Sequence, residues 1–406
     1  MRILLSTIGS RGDVRPLVAL AAELEALGED VHLCVPPDFR AWIEDLGFAV
    51  TPIGPEVRST GKASPSASRI TPEQRRQMIE GTVAAQFETI GSAARGRDVI
   101  VGATAIQIAA PSVAERMGIP YVFAAYCPNV LPSRHHAPPV LVSLGDSAPP
   151  PAADYTEHWI KDTQRSNDAW RGPLNTQRAL LGLAAIDDVR SHVFTARPWL
   201  AADPTLGPWP ESANDSVFQT GAWILHDDRP LAPEIESFLD AGEPPVYFGF
   251  GSIGAPANLS RVMIESARAV GRRAIVLRGW ADLPLIDDGS DCLSIGEVNQ
   301  QALFKRVSAV VHHGGAGTTT AAARAGAPQV VIAQHYDQPY WAQRVQQLGV
   351  GTAHATPTPS VESLTTDLER TLRSDIVARA RAVGSEMRSD GARIAARALL
   401  ATVGRG

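Results

Sequence analysis

His312-His313-Gly314-Gly315-Ala316-Gly317-Thr318 follows the apolar run Val307-Ser308-Ala309-Val310-Val311 and precedes an alanine-rich helical stretch. A buried parallel strand that empties through glycines into a helix leaves the first N–H groups of that helix without carbonyl partners. It also aims the positive end of the helix dipole at the same point. That combination suits a phosphate. The stretch therefore reads as a strand–turn–helix unit of an α/β protein whose turn holds a diphosphate.

The same rhythm extends to both sides of this unit. Residues 3–7, 31–35, 98–101 and 121–124 read as short buried strands, with helices over 16–27, opened by Pro16 and closed by Gly28, and over 107–117. It restarts at 245–250, 273–277, 293–295, 307–311 and 329–332. Two such series predict two Rossmann-like domains whose parallel sheets face a central cleft, the place where ligands of α/β folds collect. Prolines 198, 204, 208, 210, 230 and 233 mark the boundary. The expected division is a first domain over 1–214, a linker over 215–232, a second domain over 233–384 and a terminal helix within 385–406. Residues 57–71 and 127–155 read as long loops, one of which is expected to shape a second binding pocket.

Composition sets limits on function. With 406 residues, 44% of them hydrophobic and 20% charged, the chain can bury two ordinary cores. A net charge of −6 gives no global attraction to nucleic acid or anionic lipid. Cys34, Cys127 and Cys292 are scattered and form no Cys-x-x-Cys pair, which argues against a disulfide framework or a zinc site and fits a reducing compartment. Met1-Arg2 leads directly into a strand-like run with no signal-peptide core, and no apolar run approaches the roughly eighteen residues of a membrane span. The expectation is a cytoplasmic protein without stable membrane insertion. Neither Gly-x-Gly-x-x-Gly after the first strand nor Gly-x-x-x-x-Gly-Lys-Ser/Thr occurs. His135-His136 and His312-His313 have no metal-ligand spacing, and adjacent strand residues point to opposite faces, so one histidine of each pair is expected to be structural. No Asp-x-Asp occurs, so a diphosphate must be neutralised by protein groups rather than by a metal.

The turn after the first strand, Gly9-Ser10-Arg11-Gly12-Asp13, is expected to send Arg11 and Asp13 into the cleft. Asp13 has a second reading, and spacing alone favours it: an N-cap for the adjoining helix.

Gly-Ser-Arg-Gly-Asp-Val-x-Pro at 9–16, Phe250-Gly251-Ser252, Arg278-Gly279-Trp280, Glu297-Val298-Asn299, the His312 to Thr318 run and Asp337-Gln338-Pro339-Tyr340 resemble glycosyltransferase family 1, with the inverting GT-B fold. The resemblance is closest to bacterial natural-product enzymes of vancomycin-group glycopeptide pathways. It spans nearly the whole chain in order. Sterol glucosyltransferases are more distantly similar. Plant members place a histidine three residues before the corresponding proline, where this chain has Asp13.

The resemblance implies Asp13 as general base, Arg11 and Ser252 near the phosphates, and Ser10 among the donor-site residues. It implies that His312 and the backbone of Gly314, Gly315, Gly317 and Thr318 hold the diphosphate. Trp280 and the backbone at Val298 correspond to the nucleobase pocket, and Asp337 and Gln338 to the pair that binds donor-sugar hydroxyls. It also implies hexosyl or deoxyhexosyl transfer from a UDP- or dTDP-sugar to a glycopeptide or polyketide-like aglycone, by a monomer that needs no metal or other cofactor. The terminal helix is then expected to return across the cleft to the first domain. Three alternatives stay open: a sterol or lipid glucosyltransferase, an enzyme like UDP-N-acetylglucosamine 2-epimerase, and a non-catalytic nucleotide-sugar-binding partner protein.

Overall fold

The computed structural model describes residues 1–58, 71–141, 149, 152–211, 216–251, 258–279, 285, 287 and 289–403. Thirteen strands among them form two wholly parallel sheets. In the first, β1 (Arg2–Thr7), β2 (Asp30–Val35), β3 (Ala49–Pro52), β4 (Val99–Ala103), β5 (Tyr121–Ala125), β6 (Trp199–Leu200) and β7 (Phe218–Gln219) lie in the order β3-β2-β1-β4-β5-β6-β7. In the second, β8 (Val246–Gly249), β9 (Ala274–Leu277), β10 (Cys292–Ile295), β11 (Ala309–His312), β12 (Gln329–Val331) and β13 (Gly351–Ala353) lie in the order β10-β9-β8-β11-β12-β13.

The central strands are apolar on both faces because helices cover both faces, as parallel sheets require. Ile3 and Leu5 of β1 pack with Val14, Leu17 and Leu24 of the helix Arg11–Ala26, while Leu4 packs with Val83, Phe87 and Ile90 of the helix Pro72–Ala93. In the second sheet, Phe248 and Val311 meet Met263 and Ala267 on one face, and Tyr247 and Val310 meet Leu303 and Ala322 on the other. Strand order reverses between β1 and β4 and between β8 and β11. Each reversal opens a crevice at the strands' carboxyl ends.

Three local expectations are corrected. The first helix begins at Arg11, not at Pro16, because Ser10 caps it and Asp13 closes a capping box one turn earlier. Pro16 therefore sits inside the helix. The boundary segment also contains structure: β6 pairs with β5, and β7 extends the first sheet into the stretch read as linker. The terminal helix expected over 385–403 begins later, at Gly391, because the preceding helix Ser374–Glu386 runs to Glu386 and ends at an extended Met387.

The last helix crosses to the first domain, where Ala392, Ala395, Ala396 and Leu399 join the cluster around Leu17 and Leu20. The crossing is held by Arg388 N–H donating to Asp203 Oδ2 at 2.9 Å. Behind it, the linker is tied to the second domain by Asn299 Nδ2, which donates to the carbonyls of Asp227 and Arg229 at 2.8 Å each. No helix among the described residues is long and apolar enough to cross a membrane.

At Gly391 a Cβ would stand 2.5 Å from the carbonyl oxygens of Gly221 and Ala222. Gly391→Ala should therefore destabilise the protein by roughly 1–3 kcal/mol, the usual range for overpacking, although alanine is the better helix former. A urea melt with a lower midpoint and an unchanged slope checks this.

Candidate active site

The carboxyl ends of both sheets face one cleft of 2720 Å³. A pocket for a single small ligand measures about 300–1,000 Å³, so this one has room for two substrates. Ser10, Arg11 and Asp13 line it from the first domain. Val298, His313, Gly315, Ala316, Gly317, Thr318, Asp337 and Gln338 line it from the second.

The glycine turn has the geometry that its sequence demands. Gly314 holds φ at 93°, and a Cβ there would come within 2.7 Å of Val331 Cγ1. The helix Ala316–Arg324 has no side-chain cap, and Thr319 N–H, donating to Gly315 O at 3.0 Å, makes the first bond of its ladder. The amides of Ala316, Gly317 and Thr318 thus find no acceptor among the described residues, and all three residues line the cleft. Unsatisfied amides and the dipole end together form an anion site.

Within the histidine pair the expected assignment is reversed. His312, the last residue of β11, is fully buried. Its Nε2 bonds Gln329 Oε1 at 2.9 Å and its Nδ1 accepts from Gly314 N–H at 3.0 Å. Both nitrogens are committed inside the protein, so His312 shapes the turn and cannot reach a ligand. The next side chain, His313, points the other way and lines the cleft. Burial pushes its imidazole down to about 4, so it is neutral at pH 7.

Asp13 faces the glycine turn across the cleft. Ser10 N–H donates to its Oδ2 at 2.7 Å and the Ser10 hydroxyl does so at 3.2 Å. Ser10, not Asp13, is the N-cap, and Asp13 stands three residues on as its reciprocal partner. Both bonds fall on Oδ2, which leaves Oδ1 to the cleft. A Cβ on Gly9 would stand 2.5 Å from Asp13 Cγ, so only glycine leaves space for this carboxylate. Burial pushes Asp13 up to about 6 against the lowering effect of the Ser10 bonds. Burial also pushes Asp337 up to about 7, with the charge of Asp13 adding to the shift and the Trp341 indole, donating to Oδ2 at 3.0 Å, opposing it.

The other expected residues divide. Gln338 is buried, and its Oε1 accepts from the amides of Gln334 at 2.8 Å and His335 at 3.2 Å, so its NH₂ is the group with donors to offer. Arg11 reaches across the gap to pair with Glu297, beside Val298, and its guanidinium lies 4.8 Å from the centre of the Trp42 ring. Ser252 and Trp280 lie outside the described residues. Gly251 and Gly279 both have φ of 59°, and a Cβ on Gly279 would come within 2.6 Å of Gly251 O. Asp287, Asp291 and Cys292 are close enough together for a metal. Arg268 already bonds both carboxylates at 2.7–2.9 Å.

Residues 3–133 match the Glycosyltransferase family 28 N-terminal domain, and residues 288–396 match the C-terminal domain of Erythromycin biosynthesis protein CIII-like proteins. Among curated relatives from Amycolatopsis orientalis, Glycosyltransferase GtfE is 49% identical over 100% of this chain and 98% of its own length. Vancomycin aglycone glucosyltransferase is 48% identical over 100% and 98%, and dTDP-epi-vancosaminyltransferase is 40% identical over 94% and 93%. Spinosyn Forosaminyltransferase SpnP superposes with a TM-score of 0.71 at 17% identity, covering 100% of this chain and 99% of that one. Glycosyltransferase VinC, solved in complex with dTDP, superposes with a TM-score of 0.67 at 19% identity, covering 100% of both.

Two parallel-sheet domains around such a cleft are the GT-B architecture of glycosyltransferases. Within that class, the chain belongs to the family of the vancomycin-group glycopeptide glycosyltransferases, and it is a sugar-transferring enzyme.

The two histidines should separate in a mutational test. His312→Ala orphans the Gln329 carboxamide and the Gly314 amide inside the core, at a cost of about 1–3 kcal/mol. His313→Ala, at the cleft surface, should leave the thermal midpoint near that of the parent. Equal melting curves for the two variants would overturn the structural role of His312.

Proposed function

We propose that this enzyme moves a hexosyl or deoxyhexosyl group from a UDP- or dTDP-sugar to a hydroxyl of a natural-product aglycone, with inversion at the anomeric carbon. One observation carries the proposal: a desolvated carboxylate, Asp13, faces an uncapped helix start across a cleft large enough for two substrates. That volume favours a two-substrate transferase over an epimerase, which needs no acceptor. The relatives named for vancomycin aglycone and dTDP-epi-vancosamine, and the dTDP complex of VinC, support the acceptor and donor classes.

In the proposed step the acceptor oxygen attacks the anomeric carbon from the face opposite the diphosphate. Its proton passes to Asp13 Oδ1, the carbon–oxygen bond to the phosphate breaks, and nucleoside diphosphate leaves with the electron pair. A carboxylate whose pKa stands near 6 is a stronger base than a free one near 4, yet it is still far below a phenol near 10. Proton transfer therefore accompanies bond formation rather than preceding it. Charge developing on the leaving group is met by the amides of Ala316, Gly317 and Thr318, by neutral His313 and by Arg11. Loss of one such donor costs roughly 3 kcal/mol in other enzymes. Asp337 and the Gln338 NH₂ hold donor-sugar hydroxyls. No metal is needed in this scheme, because amides and Arg11 supply the counter-charge. The enzyme is proposed to act as a monomer in the cytoplasm, where three buried, unpaired cysteines are at home.

Asp13→Asn should lower kcat by about 10²–10⁴-fold, the range for removing a general base, while nucleoside diphosphate still raises the thermal midpoint. Near-parental turnover would remove Asp13 from the mechanism. In the parent, activity should fall as pH drops below about 6, when Asp13 takes up a proton.

Stability should respond in the opposite sense. A carboxyl pKa raised on folding contributes stability that is present at low pH and lost as pH rises through about 6. Asp13→Asn should therefore melt above the parent at pH 8 and level with it near pH 4. A screen of UDP, dTDP, GDP and ADP by thermal shift tests the donor class, since a ligand at a hundred times its Kd adds about 2.7 kcal/mol. Stabilisation by GDP or ADP alone would overturn it.

A further inference from the structure

Tyr336 takes no part in the proposed transfer as derived from Asp13 and the glycine turn. Its φ is 58°, in the left-handed region that a bulky aromatic residue rarely enters. Such outliers persist only where the surroundings over-determine them, and they gather at functional sites. Here the constraint is visible. Tyr336 N–H donates to Val140 O at 2.7 Å, and Val140 N–H donates to Tyr336 O at 3.2 Å. Together they form a two-bond antiparallel bridge between a loop of the first domain and the second. Pro139 and Leu141, on either side of Val140, line the cleft, as does Tyr336 itself.

The bridge fixes the position of the next residue in the chain. Asp337 stands at the N-cap of the helix Gln338–Gln347, yet its side chain makes no capping bond. Its carboxylate bonds the Trp341 indole instead and faces the cleft. The Tyr336 ring is partly buried against a core cluster that spans both domains, from Cys127 and Val130 of the first to Trp341 of the second. Its hydroxyl lies within electrostatic reach of Asp13, Asp337, Cys127 and Arg190. Burial holds the phenol well above its ordinary range, so it stays protonated and keeps its O–H to donate.

We infer that Tyr336 is a further donor-sugar-binding residue: its backbone, clamped to Val140, sets the gap between Asp337 and Asp13, and its hydroxyl donates a hydrogen bond to a donor-sugar oxygen in that gap. Asp337 can only accept when ionised, so the two side chains together satisfy one sugar hydroxyl as donor and acceptor. The inference rests on the proposed placement of the donor sugar beside Asp337. It adds a residue that sets which sugar hydroxyl is read.

The test compares the parent enzyme with Tyr336→Phe, which keeps the ring and its packing. The variant should lose about tenfold in kcat/KM for a nucleotide sugar, with unchanged affinity for the free nucleoside diphosphate and an unchanged thermal midpoint. The loss should disappear with the one deoxysugar donor that lacks the contacted hydroxyl, a result that a purely structural role would not give. Tyr336→Gly, which adopts the same φ without strain, should show the same dependence on sugar. An undiminished kcat/KM in Tyr336→Phe would overturn the inference, as would an equal loss with every donor or a matching loss of nucleoside diphosphate affinity. Failure of the parent to transfer sugar from any nucleotide donor would overturn the underlying reading instead.

Discussion

The first turn of the helix Ala316–Arg324 presents three amides that the described chain does not satisfy, and the rest of the site is arranged around that deficit. No side chain caps the turn because glycine occupies position 315, and a larger residue there would press on His313. His312 holds the turn from behind by accepting the Gly314 amide, and Gln329 fixes its ring from the neighbouring strand. The strand-to-helix geometry thus rests on a buried polar pair, while the ligand-facing surface is left open. Such a surface is stable in water and becomes fully satisfied only when an anion arrives.

Both walls of the cleft add negative charge that is costly to keep there, Asp13 from the first domain and Asp337 from the second. Asp13 and Asp337 are both desolvated and both face the cleft, and the charge of Asp13 further disfavours ionisation of Asp337. Several contacts prevent the pair from relaxing apart. Arg344 Nε donates to Leu206 O at 2.9 Å, Arg388 is tied to Asp203, and the last helix is buried against the first domain. The strain in the site is local, and the contacts that oppose it are spread along the whole seam between the domains.

Much of this was legible in the sequence, for a physical reason. β1, β2, β4, β5 and β8 to β12 are covered on both faces, so their apolar runs announce them. β3, β6, β7 and β13 are two to four residues long, too short to show a period, and all but β6 carry a proline, a glycine or a polar residue, so only pairing with a neighbour makes them strands. The period of two correctly sends the members of the histidine pair to opposite sides, one into the core and one toward the cleft, but it gives no sign. The sign comes from Gln329, seventeen residues on, which is a neighbour only after β11 and β12 pair. Asp13 posed a choice between cap and catalyst that the fold dissolves: Ser10 caps, and Asp13 serves the capping box through one oxygen while it offers the other to the cleft. The left-handed turn at Tyr336 could not be read at all, because nothing in its residue type requires it.

Arg11 adds a further constraint. It pairs with Glu297, a largely exposed acid on the far wall, and stacks on Trp42. An exposed pair of this kind contributes about 0–1 kcal/mol, far less than a charge-assisted contact with a diphosphate inside a cleft. On the proposed reading, a donor at the helix start would meet an arginine already extended across the gap and weakly engaged. The stacking on Trp42 keeps the guanidinium in place when its partner changes, so little side-chain freedom is lost at the moment of binding. The contrast is between Arg11, whose exposed pair is weak, and His312, both of whose ring nitrogens are bonded inside the protein.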